Sequence, residues 1–287
     1  MADPPWSAAG PLAGLPHEDQ TTPIATQPEK AEIFRALHRG PEILVLPNAW
    51  DCVSARIVEE AGFPAIATTS AGVANALGYP DGERIPAAEM LAAVARIARC
   101  VRVPVTADLE ARYGDVAATA AGLVASGAIG LNLEDGGADT ARHDVSIATV
   151  RRVGRELGVN LVINARTDLY LRQIGDPATR FDATCERSPA YIDAGADCVF
   201  VPVTDEDTIR RFVETLHFPL NVLAMAGTPP AGRLQELGVA RVSVGSGLAR
   251  AAMGMTRRVA QELKTSGSYD SMLQGAIPYS LNRLFEK

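Results

Sequence analysis

Eight short apolar runs constrain the fold of this chain more than any other feature of its sequence. Each has the length and composition of a parallel strand that is buried on both faces. The runs are Ile43–Pro47, Ala65–Thr69, Val103–Ala107, Gly130–Glu134, Leu161–Ala165, Cys198–Pro202, Leu220–Ala224 and Arg241–Gly245. They begin about 21–38 residues apart, which is the spacing of strand–helix units with right-handed crossovers. Eight such units predict an α/β fold, a (β/α)8 barrel of the TIM type.

The segments between the runs predict the helices of these units. SIATVRRVGRELG, for example, places Ile147, Val150, Val153 and Leu157 on one face and ends at Gly158, as an amphipathic helix does. A doubly wound sheet is the alternative architecture, but no GxGxxG fingerprint follows the first run.

The two ends of the chain differ from this repeating pattern. Residues 1–27 are rich in proline and small residues, which is typical of a flexible leader. The segment 29–39 predicts an extra helix before the first strand, and residues 267–287 form a C-terminal tail with helical character. We therefore expect one barrel domain over residues 28–266, although 287 residues would also accommodate two domains.

Composition argues against several classes of function. Lys and Arg number 27 against 34 Asp and Glu, a net charge of −7, which disfavours a nucleic-acid partner. No apolar run reaches the ~18 residues of a membrane span, and the N-terminus lacks the regions of a secretory signal. The four cysteines form no CxxC pair, so we expect a reducing, cytoplasmic location without disulfides or zinc.

Acidic residues follow several of the runs, at the strand ends where barrels place their active sites. They are Asp51, Asp108, Glu110, Glu134 and Asp135. Carboxylates that converge on one barrel mouth repel each other and need a cation, and oxygen ligands alone select a hard ion, Mg²⁺ or Mn²⁺. Asp108 and Glu110 are two residues apart, so in a continuing strand both would face the same ion.

Other polar residues near the predicted mouth are open to more than one interpretation. Asp51 and Asp135 could instead be helix caps, because an acid after a strand often has that role. Arg166 lies one strand beyond Glu134 and could clamp a substrate carboxylate bidentately. His143 falls in a loop at the mouth, where it is either a solvated residue or part of the site.

Five motifs, in order and with matching spacing, resemble those of the isocitrate lyase/phosphoenolpyruvate mutase superfamily. They are PNAWDCVSAR, TTSAG with ALGYPDG, VTADLEARYGD, GLNLEDG and INARTD. The resemblance extends over about residues 29–265. It implies a Mg²⁺-dependent barrel, assembled as a tetramer of swapped-helix dimers, that makes or breaks C–C or P–C bonds beside an α-keto acid.

The resemblance also implies roles for individual residues. Asp108 would ligate Mg²⁺ directly, while Glu110 and Glu134 would hold metal-bound waters. Asp51, beside the metal, and Arg166, on the substrate carboxylate, would be the catalytic residues. Trp50, Thr69 and Ser70 would line the substrate pocket. Asn221, near the start of the seventh predicted strand, is a further candidate substrate contact from its position alone.

Three departures from the superfamily pattern bear on the reaction. Lyases of isocitrate-like substrates carry a KKCGH or KRCGH loop after the fourth strand, whose cysteine donates a proton, whereas residues 136–146 contain no cysteine. The lyases also carry a glutamate after the sixth strand, where this chain has Pro202. Arg112 replaces a common glycine, and either binds a second carboxylate or points to solvent.

These observations leave three functions open. The first is a Mg²⁺-dependent lyase or decarboxylase that acts on a small 2-oxo acid or dicarboxylate of the oxaloacetate or substituted malate type, through an enolpyruvate-like intermediate. The second is a phosphonopyruvate hydrolase or mutase that acts on a P–C bond. The third is a 2-oxo acid binding protein without turnover. Each would be a homo-oligomer, a dimer or a tetramer.

Overall fold

The computed structural model describes residues 25–111, 113–137 and 140–285, and within them nine strands form one parallel sheet. In chain order, β1 to β9 are Leu44–Leu46, Asn48–Ala49, Ile66–Thr68, Val105–Asp108, Gly130–Glu134, Val162–Arg166, Cys198–Phe200, Leu220–Leu223 and Arg241–Ser243. Every predicted run overlaps at least one of these strands, and the predicted (β/α)8 barrel is confirmed.

The first run and the residues that follow it form two short strands, β1 and β2, which lie at the two edges of the sheet. Because they are consecutive in the chain, they connect these edges. Pro47 separates β1 from β2, since proline has no N–H to donate to a ladder. β1 pairs with β9, while β2 pairs with β3. The Asn48 side chain reinforces the junction, because its Nδ2 donates to the Thr68 carbonyl at 2.7 Å and its Oδ1 accepts from the Gly245 N–H at 2.9 Å.

Helices alternate with the strands along the chain. In chain order, α1 to α11 are Gln27–Leu37, Cys52–Glu60, Ser70–Ala76, Ala87–Cys100, Val116–Ala125, Thr140–Glu156, Arg180–Asp193, Glu206–Leu216, Ala231–Glu236, Gly247–Thr265 and Asp270–Gly275. Helix α4, for example, buries an apolar stripe of Met90, Val94 and Ile97, residues that share one helix face. The predicted extra helix before the first strand is confirmed as α1.

Helix α1 lies against the N-terminal ends of β6 and β7. Its Phe34 side chain is fully buried, and Arg35 Nη2 donates to the Asn160 carbonyl at 2.8 Å. Arg35 Nε also donates to Asp197 Oδ1 at 2.9 Å, and Arg151 of α6 pairs with Asp197 Oδ2 at 2.5 Å. This end of the barrel is therefore fixed by a buried ionic network, away from the predicted mouth.

The register of the central strands arranges polar residues in rows. Asp108 lies opposite Asn132, and Asn132 opposite Asn164. Two residues further along these strands, Glu134 lies opposite Arg166. Because residues two apart share a strand face, these side chains lie on the same side of the sheet, and their mutual contacts show that this side is the barrel interior.

Residues from Ala249 onward belong to a separate compact unit. Its described part contains most of α10, then α11 and a 3-10 helix, Tyr279–Phe285. The Ser271 N–H at the start of α11 donates to Glu262 Oε2 of α10 at 3.2 Å, which ties the two helices together. No helix among the described residues is long and apolar enough to cross a membrane.

Candidate active site

Three of the predicted site residues are the last residues of neighbouring strands. Asp108 ends β4, Glu134 ends β5 and Arg166 ends β6, so all three lie at the carboxyl-terminal rim, where barrel enzymes bind their substrates. Burial raises the pKa of Glu134 well above its ordinary value; Arg166 partly opposes this effect, whereas the nearby Asp108 carboxylate adds to it. The structure therefore brings these charges together as predicted.

The Asp108 carboxylate is oriented by donors from both neighbouring strands. Its Oδ2 accepts from the Ser70 hydroxyl at 2.8 Å and from the Ser70 N–H at 3.2 Å. Its Oδ1 accepts from Asn132 Nδ2 at 3.4 Å, and its own N–H donates to Thr68 Oγ1 at 3.0 Å. This carboxylate is only partly buried, so it is positioned before any ligand arrives and can still be reached from the mouth.

Glu110 reaches the same region by a different route from the one predicted. β4 ends at Asp108, and Glu110 has a left-handed backbone with φ of 49°, so strand alternation does not explain its direction and that part of the prediction is wrong. The Tyr113 hydroxyl donates to Glu110 Oε1 at 3.0 Å. Burial, with smaller contributions from Asp81 and Asp108, raises the pKa of Glu110 to about 7.

Arg166 belongs to an ionic cluster that also contains Asp168 and Arg172. Its Nη2 lies 2.5 Å from Glu134 Oε2 and its Nε lies 2.8 Å from Asp168 Oδ1. Arg172 Nε lies 3.0 Å from Asp168 Oδ2, and its Nη2 lies 3.7 Å from Glu134 Oε2. Two nitrogens of the Arg166 guanidinium therefore already contact carboxylates, and this fixes the plane in which it could meet a substrate.

The roles of Asp168 and Arg172 were not predicted, although the sequence around them carries a signal. Asp168 lies two residues after Arg166 within the INARTD motif, and Arg172 follows four residues later, a spacing at which opposite charges meet in a helical turn. Asp168 is fully buried, whereas the Arg172 side chain is 52% exposed. Arg172 is thus the outer cation of the cluster and Arg166 the inner one.

Asp135 is held inside the structure by four donors. Its Oδ1 accepts from the N–H groups of Gly137 and Asp168 at 2.8 and 3.0 Å. Its Oδ2 accepts from Arg187 Nη1 at 2.7 Å and from the Tyr191 hydroxyl at 2.8 Å. Burial alone would raise the pKa of Asp135, but these bonds hold it below the ordinary value. Asp135 is neither the predicted helix cap nor an acid open to the mouth; it fixes the loop after β5.

Asp51 takes the cap position that was one of its two predicted roles. Its Oδ1 accepts from the Ser54 N–H and from the Ser54 hydroxyl, both at 2.7 Å, at the start of α2. Trp50, the neighbouring predicted substrate contact, is partly buried, and its N–H donates to Ser54 Oγ at 3.1 Å. Participation of Asp51 and Trp50 in the reaction stays a prediction.

The remaining predicted substrate contacts lie at different depths. Ser70 contacts Asp108 directly, and Thr69 caps α3 by accepting from the Gly72 N–H at 3.3 Å. Asn221 is fully buried in the barrel interior, where its Nδ2 donates to Ser243 Oγ at 3.2 Å. The structure therefore places Ser70 beside the acids and Asn221 within the polar interior.

The segment 136–146 is mostly helix and not the predicted loop. α6 begins at Thr140, while residues 138 and 139 lie outside the described part, as does Arg112. His143 lies within α6, is 3% exposed, and packs edge-on against the Tyr191 ring with centroids 4.6 Å apart. The prediction of a loop histidine at the mouth is wrong, because His143 shares its helix face with the buried Ile147 and Val150.

The donor set of the rim is suited to a hydrated hard cation. Among the described residues, no three His, Cys, Asp or Glu side chains are arranged to enclose a metal ion. Mg²⁺, however, retains several waters and is commonly bound by one or two carboxylates plus substrate oxygens. Asp108, Glu110 and Glu134 offer oxygen only. Burial, with smaller contributions from neighbouring acids, raises the pKa of both glutamates, and a bound cation would stabilise their charged forms.

Comparison with known proteins gives a consistent result. The phosphoenolpyruvate phosphomutase family model matches residues 34–264. An uncharacterised protein of Mycobacterium tuberculosis H37Rv is 39% identical over 217 residues, which cover 74% of this chain and 81% of that protein. The 2-methylisocitrate lyase of Bacillus subtilis is 29% identical over 261 residues, with 85% of each chain covered.

Solved structures show the same similarity in three dimensions. A crystal structure from Burkholderia cenocepacia J2315 superposes with a TM-score of 0.82 at 36% identity, covering 91% of this chain and 97% of that one. The crystal structure of 2,3-dimethylmalate lyase superposes with a TM-score of 0.78 at 26% identity, covering 91% and 95%.

Proposed function

The chain belongs to the phosphoenolpyruvate phosphomutase family, within the isocitrate lyase/phosphoenolpyruvate mutase superfamily, and we propose that it is a Mg²⁺-dependent C–C lyase. Relatives named as lyases support this class of reaction. The substrate we propose is a small 2-oxo acid or dicarboxylate of the oxaloacetate or substituted malate type. One observation carries the proposal: Asp108, Glu134 and Arg166 converge at the rim, with Glu110 beside them.

The acids and the arginine at the rim would have different roles in the proposed reaction. Asp108 would hold the cation directly, with Glu110 and Glu134 on its waters. When bound, Mg²⁺ would supply Lewis-acid stabilisation of the negative charge that develops as the bond breaks. Arg166 would bind the substrate carboxylate, and its fixed orientation between Glu134 and Asp168 would limit how the substrate lies relative to Asp108.

The short connection after β5 favours one type of substrate. Only five residues separate Glu134 from Thr140, and none of them is the cysteine that the isocitrate-type lyases use as an acid. Loss of CO₂ from an oxaloacetate-like acid leaves an enolate that water can protonate, so this reaction does not require a protein acid at that place. We therefore favour a carboxy-lyase over a lyase of isocitrate-like substrates.

A panel of substrates would test the proposal against its alternatives. We expect the protein with Mg²⁺ to release pyruvate from oxaloacetate, or to cleave a substituted malate, faster than Mg²⁺ alone. Phosphate or phosphoenolpyruvate formed from phosphonopyruvate would instead support a P–C enzyme, which the matched family model also favours. Tight binding of 2-oxo acids without turnover of any compound would support the binding-protein alternative and contradict the lyase.

We also propose a cytoplasmic homo-oligomer, a dimer or a tetramer. Support for assembly comes from α10, where Met253, Met255 and Leu263 are 41%, 36% and 47% exposed. Large apolar side chains grouped on one helix commonly mark a protein interface. Light scattering on the purified protein would test this directly, and a monomer at micromolar concentration would contradict it.

A further inference from the structure

Arg241, in the last strand of the barrel, is a buried cation that forms no ion pair with any other described residue. It is the largest fully buried side chain among the described residues, and no carboxylate of residues 25–111, 113–137 or 140–285 lies within ion-pair distance of it. Its Nε donates to Ser243 Oγ at 3.0 Å and its Nη2 to Asn132 Oδ1 at 3.1 Å, while its Nη1 has no hydrogen-bond partner within the part of the chain that the structure describes. Buried charges are normally paired, so this one requires an explanation.

The described side chains that pack closest to Arg241 provide no negative charge. Burial brings the pKa of His38 to about 4 and that of Cys198 to about 12, so both are neutral at pH 7. The Phe34 ring lies 5.9 Å from the Arg241 guanidinium carbon. The carboxylate that interacts with Arg241 electrostatically is Asp108, the candidate metal ligand.

Asn132 connects the two charges. Its Oδ1 accepts from Arg241 Nη2 at 3.1 Å and from Asn164 Nδ2 at 2.8 Å, and its Nδ2 donates to Asp108 Oδ1 at 3.4 Å. A guanidinium only donates and a carboxylate only accepts. An amide between them therefore has one satisfied orientation, with its oxygen toward Arg241 and its nitrogen toward Asp108.

We propose that Arg241 is a positioning residue that acts through Asn132 to hold the Asp108 carboxylate in place for the divalent cation. Its donor fixes the Asn132 amide, and its positive charge below the rim stabilises Asp108 among the crowded acids. The proposal rests on the proposed function, because it assumes a cation at Asp108. Groups that orient metal ligands in this way typically change metal affinity by about 10–100-fold when removed.

Titration of the purified protein with Mn²⁺, followed by electron paramagnetic resonance and by displacement with Mg²⁺, would test the proposal without any substrate. We expect Arg241→Met to weaken Mn²⁺ binding about 10-fold or more. Arg241→Lys keeps the charge, and we expect binding within about threefold of wild type. Asn132→Ala removes the connecting amide and should weaken binding to about the same extent as Arg241→Met.

Arg151→Met is the matched control, because Arg151 is also a largely buried arginine but bonds Asp197 at the opposite end of the barrel. We expect it to lower the melting temperature while leaving Mn²⁺ affinity unchanged. A purely structural Arg241 would behave in the same way as this control. If Arg241→Met does not fold, Asn132→Ala decides the question, because the proposal requires weaker Mn²⁺ binding in that variant.

The outcomes separate the two proposals. Wild-type Mn²⁺ affinity in folded Arg241→Met, or in Asn132→Ala, would overturn the role of Arg241 and leave the lyase proposal intact. Failure of the wild-type protein itself to bind Mn²⁺ or Mg²⁺ would overturn the metal site, and the role of Arg241 with it.

Discussion

Replacing Asp197 with asparagine should destabilise the barrel strongly, because two largely buried arginines depend on this carboxylate. Arg35 Nε and Arg151 Nη2 lie 2.9 and 2.5 Å from its two oxygens, and the Ile163 N–H donates to it at 2.9 Å. Breaking a buried ion pair by removing one partner costs about 3–5 kcal/mol. Asparagine keeps one acceptor, so we expect the lower value, about 3 kcal/mol, or roughly 6–12 °C in melting temperature for a domain of this size.

The pH dependence gives this prediction a second readout. Burial would raise the pKa of Asp197, but Arg151 and Arg35 hold it below the ordinary value. A carboxyl group whose pKa is lower in the folded than in the unfolded protein stabilises the fold at pH values above its unfolded pKa. This stabilisation is lost as the pH falls through the pKa of the folded state. The difference in free energy of unfolding between wild type and Asp197→Asn, measured by denaturation, should therefore be constant above about pH 5 and become smaller below about pH 4.

A matched control is available on α8. Asp207 forms an exposed pair with Arg210 at 2.6 Å, and its side chain is 83% exposed, so Asp207→Asn should leave the melting temperature within about 2 °C. An Asp197→Asn protein as stable as this control would refute the argument that the buried network fixes the N-terminal end of the barrel.

Three further predictions concern single residues. Asp51→Ala should cost about 1 kcal/mol in denaturant unfolding, because the cap on the Ser54 N–H is lost; an unchanged midpoint would contradict the cap. Burial lowers the pKa of His38 from 6.5 to about 4, so stability should rise by about 3 kcal/mol between pH 4 and 6.5 and then level off. His38→Gln should flatten that profile, and an equal slope in both proteins would refute the assignment. Asp168→Asn should lower kcat/KM about tenfold or more, since the partner of Arg166 Nε loses its charge, with Mn²⁺ affinity unchanged; wild-type kinetics would contradict this role for Asp168.

The barrel could be predicted because its strands are buried on both faces and so appear as continuous apolar runs. The positions of Asp108, Glu134 and Arg166 followed from the rule that such strands end at one rim. Glu110 could not be placed in this way, since its left-handed backbone is set by the turn after β4 and by the Tyr113 contact. Its proximity to Asp108 was predicted for a reason that does not apply.

Some residues could not be placed from the sequence because their contacts are distant in the chain. Asp135 is fixed by Arg187 and Tyr191, 52 and 56 residues away, and no local pattern indicates these partners. His143 was recoverable, because it continues the apolar stripe of Ile147 and Val150 by one helical turn. Arg241 carried a signal of its own, a charge within an otherwise apolar strand, but only the structure shows that it reaches Asn132.

The proposed lyase activity depends most directly on Asp108, as the residue that couples the cation to bond cleavage. Mg²⁺-dependent pyruvate release from oxaloacetate, compared between wild type and Asp108→Ala with Mg²⁺ alone as the blank, tests this claim. Asp115→Ala is the matched control, since Asp115 caps α5 by accepting from the Ala117 N–H at 2.9 Å. We predict that wild type releases pyruvate faster than the blank and that chelation of Mg²⁺ abolishes this difference. The rate should be at least about 100-fold lower in Asp108→Ala and near that of wild type in Asp115→Ala. Two results would contradict this claim. One is wild-type activity in Asp108→Ala, and the other is a wild-type protein that is no faster than Mg²⁺ alone on oxaloacetate and substituted malates.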